Sequence, residues 1–509
     1  MDKLHFDLIT DKRIKRVVSI LGILSLEKFP LTFEELALKL SISVQTIITD
    51  IKYIQAVLPD EVRVRSTRKV GVLLEVEKGF IITEYIDSIS QSSLLFELIT
   101  RIFNGEKHSF LVWSDKLYIS EMSLKRYIKV LKEKLIEFNL SISLNPLNLI
   151  GREVDIRYFY YTYFSTASHS KFRPKPNTKH IQVYNQCIKE AEEKMSSVLN
   201  IDFRNTIFWI MIIQKRIETG HIVELEMKTI NENKEIKNYF HFDQIYKKNF
   251  KNIFLIDEIN QDESVFAYMV CLNNVIYKEG LLNRIGSKRT DGIMKLLTEN
   301  TILSNVISAL GILSSDQDRF KRLHYAYLVN MTLISEVTPL FQKNSFEIMN
   351  YIKKNHNGIF NLWLIYLKKS TLLKKLSISF IEDVCVSLTM ISSLFVYNQE
   401  VKGKHILFSI SGESTYNSYL ADLIQIVMPR DINITLVFNS LISRKNLIDL
   451  EVDLFVYNHE LYSEDIAEGG FHHFHISTIP TDTEWSLLRE LIFRGSADHV
   501  SQDFYENII

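Results

Sequence analysis

The chain has 509 residues, of which 46% are hydrophobic and 24% charged, a length beyond one ordinary core and a balance typical of folded, soluble, multidomain proteins. With 16 Gly and 8 Pro there is little room for long linkers, collagen-like repeats or large disordered tails, and a mostly helical protein is the default. The formal net charge of -1 is unevenly spread: residues 1–180 hold 27 Lys/Arg against 21 Asp/Glu, whereas from Glu400 onward 7 stand against 17, which suits a protein that touches phosphates with one end only.

The N-terminus MDKLHFDLITDKRIKR is charged and lacks the apolar stretch of a signal peptide, and no apolar run reaches the roughly 20 residues of a membrane span. Cys187, Cys271 and Cys385 are odd in number and far apart, so neither a disulfide framework nor a zinc site is indicated. A cytoplasmic protein with no membrane partner, no metal and no cofactor is expected.

Residues 11–28 read as an amphipathic helix (Ile14, Val17, Val18, Leu21, Leu24) closed by Pro30. Thr32 caps a second helix, with Glu34 and Glu35 in its first turn, and Ser43 caps a third whose apolar face is Val44, Ile47, Ile48, Ile51, Ile54 and Leu58. VRVRSTRKVGVLLEV then alternates as a hairpin. Three helices and a hairpin are the order of a winged helix-turn-helix, whose third helix enters a major groove. Its polar side carries Gln45, Thr46, Thr49 and Lys52, able to reach base edges or phosphates, and the hairpin carries Arg63, Arg65, Arg68 and Lys69 for phosphates or a minor groove.

The pattern returns without an obvious repeat of sequence. SSLLFELITRIFN (92–104) is an apolar helix, 108–117 a short second helix, and Ser120 or Ser123 begins a third with Leu124, Ile128, Leu131 and Leu135 inward. Lys125, Arg126, Lys129 and Lys132 lie elsewhere on it, and Ser123 joins Lys125, Arg126 and Lys129 as a DNA contact only through the family resemblance given below. Lys132 and Lys134 read as a solvated face, with Glu133 and Glu137 spaced to pair with Lys129 and Lys134. SISLNPLNLIG gives two short strands around Pro146. Residues 1–80 and 81–168 thus read as tandem winged units. SKFRPKPNTK is a basic linker, and 180–397 is almost all helical pattern until NQEVKGK (398–404) interrupts it. In the tail, 403–495, strands HILFSI, INITLVF, VDLFVYN and FHISTI alternate with helices STYNSYLADLIQIVM and WSLLRELIF, implying a small parallel α/β domain.

The segments LTFEELALKLSISVQTIITDIKYIQAVLP, GREVDIRYFYYTYF, WIMIIQKRIETGHIVEL and PRDINITLVFNS…EVDLFVYNHEL, in this order over nearly the whole chain, resemble the Mga/AtxA/RofA family of Gram-positive virulence and global regulators. That resemblance implies a mostly α multidomain protein. It would have two winged helices, two all-helical regulation domains of the sugar phosphotransferase system (180–288 and 289–397) and a C-terminal domain like enzyme IIB. It further implies promoter DNA and RNA polymerase as partners, usually in activation, homodimerisation through the tail, and histidine phosphorylation by HPr or other components of that relay.

His221, His241 and His324 are the candidate phosphoryl acceptors, since neutral imidazole is a nucleophile near pH 7, with Arg319 and Arg322 near His324 to steady the phosphoryl charge. An ordinary half-buried histidine is the competing reading for each. In the tail, a working enzyme IIB needs a cysteine after the first strand; the loop here reads SISGEST, offering Ser409, Ser411, Ser414 and Thr415, so phosphoryl transfer is not expected. His472, His473 and His475 form HHFH on a surface or interface strand, without the ligands of a metal site. No Gly-rich nucleotide loop, HExxH or GxSxG occurs. The expectation is a DNA-binding regulator and not an enzyme. The rivals are an RNA-binding antiterminator, which would begin with a β-rich module, and a phosphotransferase component.

Overall fold

The computed structural model describes residues 3–27, 29–67, 71–90, 93–166, 173–195, 201–273, 288–401, 404–428, 432–440, 442–459 and 472–494. They group into two compact units that interleave along the chain: Met1–Lys295 with Ala326–Glu347 and Leu376–Phe380, and Leu296–Tyr325 with Ile348–Lys375 and Ile381–Ile509.

In the first unit, α1 (Lys3–Leu8) precedes α2 (Lys12–Leu24), α3 (Phe33–Leu40), α4 (Val44–Val57) and the antiparallel pair β1 (Val62–Thr67) and β2 (Gly71–Val76). The starts of α2, α3 and α4 each follow from a capping side chain: Asp11 accepts from the Arg13 and Ile14 amides, Thr32 and Glu35 form a capping box, and Ser43 accepts from the Thr46 amide. Val17, Leu21, Leu36, Ile47, Ile51, Ile54, Val64 and Val72 interlock as one buried core. The wing gains a third partner, because Leu31 and Val72 exchange both backbone hydrogen bonds at 2.9 and 2.7 Å. Next come α5 (Ile82–Ser90), α6 (Leu94–Phe103), α7 (Phe110–Lys116), α8 (Glu121–Leu135), β3 (Ser141–Leu144) and β4 (Leu147–Ile150). Then α9 (Glu153–Thr166) leads into α10 (Thr178–Met195), α11 (Phe203–Glu218), α12 (Met227–Lys234), α13 (Lys237–Phe254) and α14 (Gln261–Asn273). The helix α15 (Lys288–Thr298) follows.

The second unit is built on α16 (Ile302–Ala309), the first half of α17 (Ser314–Ser335), α18 (Phe346–Asn355), α19 (Asn357–Lys369), α20 (Leu372–Lys375) and α21 (Ile381–Val401). Its tail comprises β5 (His405–Ile410), α22 (Ser414–Val427), β6 (Asn433–Phe438), α23 (Arg444–Asp449), β7 (Leu454–Tyr457), β8 (His473–His475) and α24 (Asp482–Arg494). The strands form one parallel sheet in the order β6-β5-β7-β8, over a core that includes Ile406, Phe408, Leu420, Val456, Trp485 and Leu488. This is the small parallel α/β domain expected from strand–helix alternation.

Three expectations need adjustment. The helix α21 runs through 398–401, because Asn398 to Val401 contain no breaker and Gly403 is the first. The third helix of the second winged unit starts from Ser120, whose Oγ accepts from the Ser123 amide at 3.2 Å, so Ser123 lies inside the helix. The short helices α1 and α5 were not anticipated; six and nine residues give too little periodicity to read.

Gly71 takes φ +103°, and a Cβ there would lie 2.5 Å from the Leu31 carbonyl oxygen. Gly71→Ala should therefore cost about 2 kcal/mol or more by strain and by loss of the Leu31–Val72 bridge. A fall of roughly 10 °C in the melting transition of the first winged unit is the expected outcome.

Candidate nucleic-acid interface

The two winged units share a register that their side chains conceal. The caps Thr32 and Ser109, the caps Ser43 and Ser120, and the turn residues Ser41 and Tyr118 each lie 77 residues apart. Ser41 and Tyr118 adopt the same left-handed conformation, φ +55° and +54°. The amides that follow repeat too: Ile42 donates to Ala37 O at 3.1 Å and Ile119 to Ser114 O at 3.0 Å. In both third helices the capping serine also hydrogen-bonds the hydroxyl three residues on, Ser43 with Thr46 at 2.8 Å and Ser120 with Ser123 at 3.0 Å. Helices α4 and α8 are thus equivalent elements, each exposing the side not committed to its core.

On α4, Gln45, Thr49 and Lys52 are exposed and Thr46 is half-buried. The Thr49 hydroxyl donates to Gln45 O at 2.9 Å, leaving it an acceptor toward solvent. Asp50, overlooked in the sequence, is buried on the core face and takes a two-pronged hydrogen bond from Arg16 of α2, at 2.5 and 3.0 Å. This pair fixes how α4 lies across α2. Gln55 ties α4 to the wing by donating to Val64 O at 2.8 Å. On the wing, Arg63 is exposed, and Arg65 is exposed but paired with Glu75 at 2.8 Å. An exposed pair of this kind is worth about 0–1 kcal/mol and is readily exchanged for a phosphate. Arg68 and Lys69 lie outside the described residues.

On α8, Lys125, Arg126 and Lys129 are exposed and Ser123 is half-buried. Among the described residues none of these three cations has a carboxylate partner; Arg126 rests over the Tyr127 ring at 5.3 Å. Lys134 is spoken for, pairing with Asp7 at 2.7 Å and Glu137 at 2.9 Å. A row of free cations on a protruding helix is what phosphate neutralisation requires.

Tandem winged units that each present such a helix define a DNA-binding transcriptional regulator. Residues 16–73 match a helix-turn-helix domain model, and residues 78–164 match the Mga helix-turn-helix domain. The capsule synthesis positive regulator AcpB of Bacillus anthracis is 23% identical over 470 residues, spanning 88% of this chain and 92% of that protein. The capsule synthesis positive regulator AcpA of the same bacterium is 26% identical over 367 residues, 69% of this chain and 73% of its own. The chain is thus similar to Mga-type regulators in its second winged unit and to the capsule regulator AcpB over most of its length, the likeness its sequence resemblance implied.

The three histidines occupy different settings. His221 is half-buried after α11, and burial, then Arg216, lowers its pKa. Its Nδ1 meets Thr219 Oγ1 at 2.9 Å, and that hydroxyl itself donates to Lys215 O or Arg216 O. The proton therefore belongs on Nδ1, which leaves the Nε2 lone pair for chemistry. His241 is half-buried beside the Phe240 ring. His324 is fully buried: Nδ1 donates to Phe320 O at 2.8 Å, Nε2 meets Ser392 Oγ at 3.0 Å, and the ring stacks between Phe320 and Trp363. Arg319 and Arg322 lie exposed on the same helix, so they do not frame this ring as the sequence suggested, and both nitrogens of His324 are already engaged.

The tail loop after β5 is occupied by its own side chains. The Ser411 amide donates to Asn458 Oδ1 at 2.7 Å and the Gly412 amide to Asn439 Oδ1 at 2.9 Å. Nδ2 atoms of Asn458, Asn439 and Asn417 return hydrogen bonds to the Ser411 and Gly412 carbonyls. Ser409 is buried and bonded to His459 Nε2 at 3.0 Å, while Ser411 and Thr415 are exposed. The side chain of Ser414 lies outside the described residues. His473 and His475 lie exposed on β8, both beside the Tyr457 ring. No helix among the described residues is long and apolar enough to cross a membrane.

His5 resembles His324: it is buried, its Nε2 meets Tyr163 O at 2.9 Å, and burial lowers each pKa to about 4. Both rings are therefore neutral in the fold but take up a proton near pH 6.5 once unfolded. The unfolded state binds more protons between pH 6.5 and 4, so stability falls with pH across that window and levels off below it. Each ring contributes on the order of 3 kcal/mol by pH 4. Thermal melts of His324→Gln between pH 7 and 4.5 should show a shallower pH dependence than the parent; an unchanged slope would show that the buried ring is not the cause.

Proposed function

We propose that the protein is a promoter-bound activator that grips DNA with both winged units. Helix α8 contributes Ser123, Lys125, Arg126 and Lys129; α4 contributes Gln45, Thr46, Thr49 and Lys52; and the wing contributes Arg63, Arg65, Arg68 and Lys69. The single observation behind this reading is the shared register of α4 and α8, with free cations on the exposed side of α8. Two relatives are positive regulators of capsule synthesis, which favours activation and recruitment of RNA polymerase in the cytoplasm.

The helical segments 180–288 and 289–397 serve, in this reading, as phosphotransferase-type regulation domains addressed by HPr or a similar carrier. His221 is the best-placed acceptor, because its proton is held on Nδ1 and its second nitrogen is not enclosed as in His324. The tail, 403–495, is enzyme IIB-like in strand–helix alternation but a contact module in use. Its loop amides are satisfied internally, and Tyr419 and Ile426 on α22 are 64% and 80% exposed, a surface suited to homodimerisation.

The direct test is binding of the purified full-length protein to genomic fragments over a range of salt. Submicromolar affinity should fall steeply with salt, at close to one log unit per tenfold salt for each phosphate contact. Lys125→Ala with Arg126→Ala should abolish binding at physiological salt with circular dichroism unchanged; normal binding would remove α8 from the interface. Deleting residues 403–509 should yield a monomer by sedimentation that binds DNA more weakly, and a truncated dimer would put the interface elsewhere.

A further inference from the structure

The shared register exposes two residues that no local pattern singles out. Met122 occupies on α8 the place Gln45 holds on α4, and Tyr118 occupies the left-handed turn position held by Ser41. Met122 is 83% exposed and Tyr118 95%. Left-handed backbone costs a bulky side chain strain that glycine would avoid. Among the described residues the Tyr118 side chain has no hydrogen bond or ring contact in return. A strained, solvent-facing aromatic beside an exposed methionine, next to the unpaired Lys125 and Arg126, is a surface shaped for an external partner rather than for the fold.

We infer that Met122 reads a thymine C5-methyl group in the major groove and that the Tyr118 phenol donates to the adjoining phosphate. Thymine is the base that presents a methyl group in that groove, and a polarisable thioether packs on it without needing a hydrogen bond. At the equivalent place Gln45 suits the N6/N7 edge of adenine, so the two units discriminate different bases from one register. The inference rests on α8 being a recognition helix, and it names the specificity-determining residues there.

The test uses the full-length protein and a duplex footprint recovered from the genomic fragments it retains, with each thymine replaced in turn by deoxyuridine. One replacement should weaken the parent about fourfold, the worth of one buried methyl group. Met122→Ala should bind the thymine duplex about as weakly and ignore that replacement, with an unchanged salt slope. Tyr118→Gly should raise the melting temperature by relieving the backbone while weakening binding about tenfold, the worth of a hydrogen bond to a charged group. Equal deoxyuridine sensitivity in parent and Met122→Ala overturns the methyl contact. A Tyr118→Gly protein that keeps full affinity overturns the phosphate contact. Lys125→Ala with Arg126→Ala, run in parallel, separates the two levels: if it too binds normally, α8 is not a recognition helix, and if it alone loses binding, only the roles of Met122 and Tyr118 fall.

Discussion

A guanidinium with no access to water organises the first unit. Arg157 of α9 is fully buried and donates to both carboxylate oxygens of Glu263 on α14, at 2.6 and 2.7 Å, and to Glu153 at 3.0 Å. Glu153 in turn receives Arg216 of α11 at 2.8 and 2.7 Å. The remaining bonds reach backbone: Arg157 to His221 O at 3.1 Å, and the Val223 amide to Glu263 Oε1 at 2.9 Å. Burying such charges is costly, and removing one partner from a network of this kind typically costs about 3–5 kcal/mol, because the rest is left unpaired. The network therefore permits essentially one arrangement of α9, α11 and α14. Since α9 leaves directly from the wing of the second winged unit, that module and the helical bundle are welded together within the first compact unit, and the loop bearing His221 is one of the weld points.

The same helix anchors the start of the chain. His5 of α1 bonds the Tyr163 carbonyl of α9 and stacks on Phe96, and Asp7 pairs with Lys134 of α8. The N-terminal helix thus crosses to the second winged unit before the chain returns to build the first. With Arg16 and Asp50 fixing α4 on α2, neither α4 nor α8 can shift without breaking a buried or half-buried polar contact. Such rigidity suits the proposed recognition of an extended site, because little ordering entropy would remain to be lost on binding.

How much of this was legible depended on range. Helix starts at Thr32 and Ser43, the apolar faces of α4 and α8, and the alternation of the wing are local patterns, and the structure has them where periodicity and capping chemistry put them. The ambiguity between Ser120 and Ser123 is of the same local kind; both are good caps, and only the backbone decides. The 77-residue register was invisible because what repeats is capping chemistry and one left-handed turn, carried by Thr and Ser in one place and by Ser and Tyr in another. The core of α9 was unreadable for the opposite reason. Phe159, Tyr160, Tyr163 and Phe164 are all buried, so the helix is enclosed on most sides and shows little amphipathic period. Arg157 and Glu263 stand 106 residues apart, and no local rule pairs them. Likewise Asp50 looks like one more polar residue of α4 until Arg16 is seen beside it.

The tail makes the case that geometry can retire a chemistry which fold alone would suggest. The parallel sheet places a loop after its first strand, where a phosphate cradle needs free backbone amides. Here the amides of Ser411 and Gly412 point at Asn458 and Asn439, and the carbonyls between them are held by the same carboxamides. A neutral amide side chain thus satisfies both of these donors. An arriving phosphate would have to break both bonds, with no cysteine to capture it. Together with the acidic tail sequence, this favours the protein-contact role proposed for the domain. Exposed cations without a carboxylate partner among the described residues stand on α8 and, at Lys52 and Arg63, on α4 and the wing. A protein of net charge -1 has no diffuse positive field to attract DNA, so the proposed DNA contacts would have to draw their affinity from such local cations, and their selectivity from the uncharged side chains set among them.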